Sequence, residues 1–327
     1  MLDFAVNVRA AAPPPWLTER LAGRLGDLAR YPSAADDCAA RRAVADRHGR
    51  RPEDVLLLAG AAEGFALLAQ LRPRLAALIA PSFTEPEALF EAAGVPTAQV
   101  VLAPPFGLEA AGVQIPGETD VVVVGNPTNP TGVLHTREAV LALRAPGRLV
   151  VVDEAFMDSV PGEPQSLAGD GEFADESRDV LVLRSLTKTW ALAGLRVGYA
   201  LGAPEVLARL AAVRAHWPLG TLQLEAIRAC STPEAVRQAA RGAYQLSGMR
   251  AQMAAALNAA GFGVTAGAAP FVLFSVPDAD LARKRLAEKG IAVRRADTFY
   301  GLDGQYLRAA VRAEWPQLVA ALQEVTW

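Results

Sequence analysis

Lys188 is one of only three lysines in a chain whose Lys and Arg residues together number 32, so its remaining 29 basic side chains are arginines. Lys284 and Lys289 fall in a charged run, residues 282–289, that reads as a solvated helix face. Lys188 lies instead between Ser185, Thr187, Trp190 and Arg196, in a stretch of apolar and small residues. A primary amine condenses with an aldehyde and loses its proton when desolvated; a guanidinium does neither near neutral pH. Taken alone, Lys188 reads first as a side chain that rests its stem on apolar surface and keeps its head in water. Its neighbours argue for chemistry.

Three further segments carry groups of the right kind. Gly60-Ala61-Ala62-Glu63-Gly64 follows an apolar run and opens a helical one, so backbone N–H groups and a helix dipole can approach a phosphate. Gly125-Asn126-Pro127-Thr128-Asn129-Pro130-Thr131-Gly132 is a rigid loop with few backbone donors. Asp153 ends the apolar run Val150-Val151-Val152, where an unpaired carboxylate is costly to bury. Each has a bland reading as a tight turn, plain turn chemistry or a helix cap. Together with Ser185, Thr187 and Arg196 as phosphate-type donors, they supply a phosphate cradle, an amide donor, a buried carboxylate and a reactive amine. That is the inventory needed to hold pyridoxal 5'-phosphate, which requires an acid to keep its ring nitrogen protonated and a lysine to bond its aldehyde and move a proton.

The elements that must position these groups are legible as alternation. Short apolar runs at 55–58, 75–80, 98–102, 121–124, 149–152, 180–183 and 197–201 predict strands, several of them covered on both faces. Helical patterns at 35–48, 62–71, 85–93 and 137–143 lie between them. Strand and helix in succession predict an α/β fold with a mostly parallel sheet, and the functional segments fall at the C-terminal strand ends, where such sheets bind ligands. Residues 204–229 read as helical with a break at Pro218-Leu219-Gly220, and Pro233 opens a long helix to about residue 260. Beyond it, strands at 264–266, 271–276, 291–295 and 306–311 and helices at 278–289 and 315–324 predict a smaller α+β unit. Residues 1–25 are taken as an arm, 26–230 as the large domain and 231–327 as the small one.

In order and spacing, the segments NPTNPTG (126–132), VVDEAF (151–156) and SLTKTWALAGLRVGY (185–199) resemble the fold-type I pyridoxal-phosphate enzymes of the aminotransferase class I/II family over essentially the whole chain. The resemblance implies a seven-stranded, mostly parallel sheet in the large domain. It implies that Lys188 bonds the cofactor, Asp153 pairs with its ring nitrogen and Asn129 donates to its ring oxygen. Ser185, Thr187, Arg196 and the amides of Ala61 and Ala62 would hold the phosphate, Phe83 would stack on the ring, and Tyr31 would reach the phosphate of a partner subunit, implying a homodimer. Within the family the chain is most similar to the histidinol-phosphate aminotransferase and threonine-phosphate decarboxylase group. Phe156, where a Tyr is usual, and Ser-Leu-Thr-Lys at 185–188 point to the cobalamin-pathway decarboxylase branch. The resemblance gives Arg308 a substrate carboxylate, Arg294 a second anion such as phosphate, and Asn7 a place in an arm over the site. Pro86 and Tyr300 depart from the branch pattern beside the expected substrate pocket. Decarboxylation of threonine phosphate is therefore the leading expectation, and transamination of histidinol phosphate or another amino acid the alternative.

Composition narrows the classes. The chain has 327 residues, 52% of them hydrophobic and 20% charged, with a net charge of -3. It can bury a large core, and it offers neither a basic footprint for nucleic acid nor a polybasic membrane patch. Cys38 and Cys230 read as free thiols, and His48, His135 and His216 lack metal-ligand spacing, so no metal is expected. Met1 to Asn7 show no basic segment followed by an apolar stretch, and a soluble cytoplasmic protein with a small-molecule substrate is expected.

Overall fold

The computed structural model describes residues 1–110, 112–169 and 178–326. Its strands are Leu2–Asp3 (β1), Val55–Leu58 (β2), Ala76–Ala80 (β3), Thr97–Val101 (β4), Val121–Gly125 (β5), Leu149–Asp153 (β6), Val180–Ser185 (β7), Gly198–Leu201 (β8), Phe271–Ser275 (β9), Ile291–Ala292 (β10), Arg294–Arg295 (β11) and Tyr306–Ala310 (β12). Seven form one sheet in the order β2-β8-β7-β6-β5-β3-β4. β8 runs antiparallel to both its neighbours, and the other pairings are parallel. This is the mostly parallel seven-stranded α/β sheet expected from the sequence. β2, β3 and β5 are buried along their whole length, in keeping with their unbroken apolar composition; β7 is equally buried although it ends in Arg184 and Ser185, and β4 is partly exposed.

One glycine sets a close approach next to the site. A Cβ at Gly198 would lie 2.5 Å from the Arg184 carbonyl oxygen and 3.1 Å from the Ala61 nitrogen. Only Gly lets β8 enter beneath the turn that starts the helix Ala61–Gln70.

A second core gathers Phe4, Phe262, Phe274, Leu286, Leu307 and Leu318 around a three-stranded antiparallel sheet, β11-β12-β9. The helix Pro233–Ala259, opened by Pro233 and capped by the Thr232 hydroxyl on Ala235 N–H, joins the two cores. It gives Ala235 and Ala239 to the large one and Leu246, Met253 and Leu257 to the smaller.

The smaller unit differs from expectation in two places. The strand expected at 291–295 is two: β10 pairs parallel with β1 and β11 pairs antiparallel with β12, so the chain changes partners at the buried Val293. The strand expected at 264–266 is a single bridge, Val264 to Phe274. The helical break near Pro218 is also wider, separating Pro204–Ala212 from Thr221–Cys230.

Candidate active site

The C-terminal ends of β2, β3, β5, β6 and β7 open on a cavity of about 510 Å³. Every site residue expected from the sequence except Tyr31 lines it: Lys188, Asp153, Asn129, Ala61, Ala62, Phe83, Ser185, Thr187, Arg196, Arg308, Arg294 and Asn7. Tyr31 lies outside, 76% exposed, stacked on Trp217 with ring centroids 4.4 Å apart. Pro86 and Tyr300 line a separate small pocket beside Phe83 and Thr84 rather than this cavity.

β6 and β7 are neighbours in the sheet, and their ends deliver Asp153 and Lys188 to the same space. Among the described residues the Lys188 amine has neither a hydrogen-bond nor an ion-pair partner, while Lys284 pairs with Asp280 and Lys289 with Glu324 on the surface. Burial lowers the Lys188 pKa from its ordinary value, helped by the positive charges of Arg196 and Arg308. Burial likewise pushes the Asp153 carboxyl up to about 6. Its one donor among the described residues is the Ala155 N–H, 3.0 Å from Oδ1, and no cation pairs with it. A half-buried carboxylate in this state suits a cationic ring nitrogen.

One end of the cavity offers groups that could hold a phosphate. Gly60 holds φ +84°, a conformation other residues rarely adopt, and a Cβ there would lie 3.1 Å from Arg196 Nη2. As a glycine it caps the helix Ala61–Gln70 without a side chain, leaving the first-turn amides and the positive helix end open to an anion. The Ser185 and Thr187 hydroxyls, 2.7 Å apart, complete the cradle with Arg196. A phosphorylated aldehyde with a cationic ring fits these residues at three points: phosphate, aldehyde carbon and ring nitrogen.

The other end is cationic too. The β11–β12 register sets Arg294 directly opposite Arg308, so one strand pair presents both. Arg308 is only 5% exposed; it donates to Asn129 Oδ1 at 2.5 Å and to the Ala5 carbonyl at 2.7 Å, and lies over the Phe271 ring at 5.1 Å. The Asn7 amide oxygen, turned toward it, accepts from Nη1 at 3.0 Å and Nη2 at 3.3 Å. Burial, reinforced by Arg294, lowers the Arg308 pKa to about 10, so it stays charged at neutral pH. The cavity wall thus carries four cations, Lys188, Arg196, Arg294 and Arg308, against two carboxylates, Asp153 and Glu85, and selects anionic ligands at both ends.

Several groups escaped the sequence reading. Ala5, Val6, Thr84, Glu85 and Phe299 also line the cavity, and Arg294 lies 5.5 Å from the Phe299 ring centroid. Behind it, Arg184 in β7 is 1% exposed and bonds Glu154 at 2.8 Å, Asp158 at 2.5 Å and Glu163 at 2.6 Å. Glu154 also accepts from Ser166 and from Leu167 N–H, each at 2.7 Å. This network clamps the end of β6, next to Asp153, to β7, which leads to Lys188. Its signal was present: an arginine inside an apolar strand must find buried anions.

Residues 1–322 match the family model of aminotransferase class I and II. The chain is 62% identical over 324 residues to a histidinol-phosphate aminotransferase of Mycobacterium tuberculosis, covering 99% of this chain and 87% of that protein. It is 28% identical over 338 residues to a threonine-phosphate decarboxylase of Salmonella typhimurium, covering 99% and 91% respectively. The fold is similar to the crystal structure of a histidinol-phosphate aminotransferase from Clostridium acetobutylicum, with a TM-score of 0.87 at 22% identity over 99% of both chains.

Proposed function

Because the chain belongs to the class I and II aminotransferases, enzymes that work with pyridoxal 5'-phosphate, we propose that it transfers the amino group of histidinol phosphate to a dicarboxylic keto acid such as 2-oxoglutarate. The observation that carries the chemistry is the unpartnered Lys188 amine sharing a cavity with the half-buried, cation-free Asp153. The substrate choice is supported by the 62% identical relative. It reverses the order drawn from the sequence, where Phe156 and the lysine segment favoured threonine-phosphate decarboxylation; two relatives of that activity are 28% identical over 338 residues and 34% identical over 294.

When bound, the cofactor supplies an aldehyde that bonds amines and a ring that accepts electrons from the substrate carbon. Ser185, Thr187, Arg196 and the Ala61 and Ala62 amides hold its phosphate. Asp153 keeps a proton on the ring nitrogen. Asn129, its Oδ1 engaged by Arg308, has Nδ2 left to donate to the ring oxygen. Phe83 covers the ring, and Phe156, set edge-on to Phe271, adds apolar wall but no hydroxyl. Lys188, once its amine is free, would take the proton from the substrate carbon. Arg308 and Arg294 would seat the substrate phosphate in one half-reaction and a carboxylate of the keto acid in the other, and so orient the substrate over the site.

Two incubations test the assignment. Histidinol phosphate with 2-oxoglutarate should yield glutamate; carbon dioxide from threonine phosphate without any keto acid would overturn it. Arg308→Gln should raise the KM for the phosphorylated amine roughly a hundredfold, since truncating a buried, hydrogen-bonded charge typically costs about 2–5 kcal/mol. Unchanged KM would remove Arg308 from the anion site. The proposal includes a homodimer with Tyr31 reaching the partner's phosphate cradle, so sedimentation should give about twice the 34.4 kDa chain mass; a monomer at working concentration would refute it.

A further inference from the structure

We propose that Arg9 latches the N-terminal arm across the cavity by seating its guanidinium on the bare face of Gly242, and so positions the arm groups that hold Arg308. The inference builds on the reading of the cavity given above.

The arm is tied at both ends. At its start, Phe4 donates to the Ala292 carbonyl and accepts from Ala310 N–H, each at 2.8 Å, which fastens it to the smaller core. In the middle, Arg308 holds the Ala5 carbonyl and Arg312 the Val6 carbonyl at 3.1 Å. At its end, Arg9 N–H donates to the carbonyl of Lys188 itself at 3.1 Å. The Arg9 side chain is half-buried and forms no ion pair or side-chain hydrogen bond among the described residues. It fills the space that a side chain at position 242 would take. A Cβ built on Gly242 would lie 1.5 Å from Arg9 Nη2 and 2.2 Å from Cζ.

Gly242 sits inside the helix Pro233–Ala259, where glycine costs about 1 kcal/mol relative to alanine, and its φ is not positive. No backbone conformation requires a glycine there, and alanines occupy neighbouring positions of the same helix, Ala239, Ala240 and Ala243. What the missing side chain provides is room for a planar guanidinium against the helix that joins the two cores. The latch thereby holds Ala5 and Asn7 against Arg308. It touches none of the phosphate cradle. Arg9 and Gly242 are accordingly positioning residues for the substrate anion, while the Arg9 backbone N–H, kept in every variant below, stays on the Lys188 carbonyl.

The test compares Gly242→Ala, Arg9→Ala and the double variant with the parent chain, all cofactor-loaded. The first readout is hydrogen exchange of residues 4–9. Each single variant should speed it by about fivefold to tenfold, as the arm's own backbone hydrogen bonds open more often once its side-chain anchor is displaced or removed. The double variant should match Arg9→Ala alone, because the three atoms nearest a methyl at 242 all belong to the guanidinium that Arg9→Ala removes. The KM for the amino donor should rise by a similar factor with cofactor affinity unchanged. The melting temperature of Gly242→Ala should hold or rise, since alanine favours the helix. Unchanged exchange in both single variants, or a double variant faster than either, overturns the latch. If exchange rises while no amine is turned over by the parent chain, the latch stands and the functional reading fails instead.

Discussion

Lys188→Arg is expected to reduce turnover by on the order of 10⁴-fold or more while leaving the fold intact. The substitution keeps the positive charge and much of the volume, so a purely electrostatic or packing role would survive it. It removes the only amine in the cavity, and a guanidinium neither bonds an aldehyde nor gives up a proton near neutral pH. Two readouts separate the roles: kcat, and the visible absorbance that stays with the protein after desalting. Both should vanish together. Burial and the nearby Arg196 and Arg308 lower the Lys188 pKa, so its free amine becomes available at lower pH than that of a surface lysine. The two control substitutions are Lys284→Arg and Lys289→Arg, whose exposed ion pairs with Asp280 and Glu324 are worth about 1 kcal/mol at most. They should leave kcat within about twofold. Turnover by Lys188→Arg above a few per cent of the parent would refute the assignment.

Asp153→Asn should lower kcat by roughly 10²–10³-fold, the scale on which a preorganised group facing developing charge contributes. An amide has the shape of the carboxylate but cannot hold a proton on the ring nitrogen as its counterion. The same substitution should stabilise the cofactor-free protein. Burial raises the folded-state pKa of Asp153 to about 6, above the ordinary carboxylate value, so the folded chain binds this proton more tightly than the unfolded one. Stability therefore falls as pH rises from about 4 to about 6 and stays low beyond, as the carboxylate charges without a partner. Asparagine removes that loss. The cofactor-free variant should melt above the parent at pH 7 and with it below pH 4. A variant that melted below the parent at pH 7 would show that the carboxylate already has a cationic partner in the cofactor-free fold.

These two groups sit within short, self-contained segments, which is why they were readable. Lys188 stood out by rarity and surroundings, Asp153 by ending an apolar strand, and Gly60 by opening a helix after one. The strands β2, β3 and β5 were equally plain, because a strand covered on both faces is apolar throughout unless a buried charge finds partners, as Arg184 does in β7. The smaller unit was less legible. The run at 291–295 gives no sign that β10 and β11 choose different partners, since pairing depends on where β1 and β12 arrive.

The sequence by itself determined the α/β class, the segments that line the cavity and the kinds of group that meet at the sheet edge, because strand composition and turn chemistry are local properties of the chain. Only the tertiary structure decided that Arg294 faces Arg308 across a strand pair, that the arm lies over the cavity with Arg9 on Gly242, and that Pro86 and Tyr300 belong to another pocket. Those relations join residues up to some 300 positions apart, as in the bond from Arg308 to Ala5. Register, helix packing and the path of the arm set them, and no local pattern encodes any of the three.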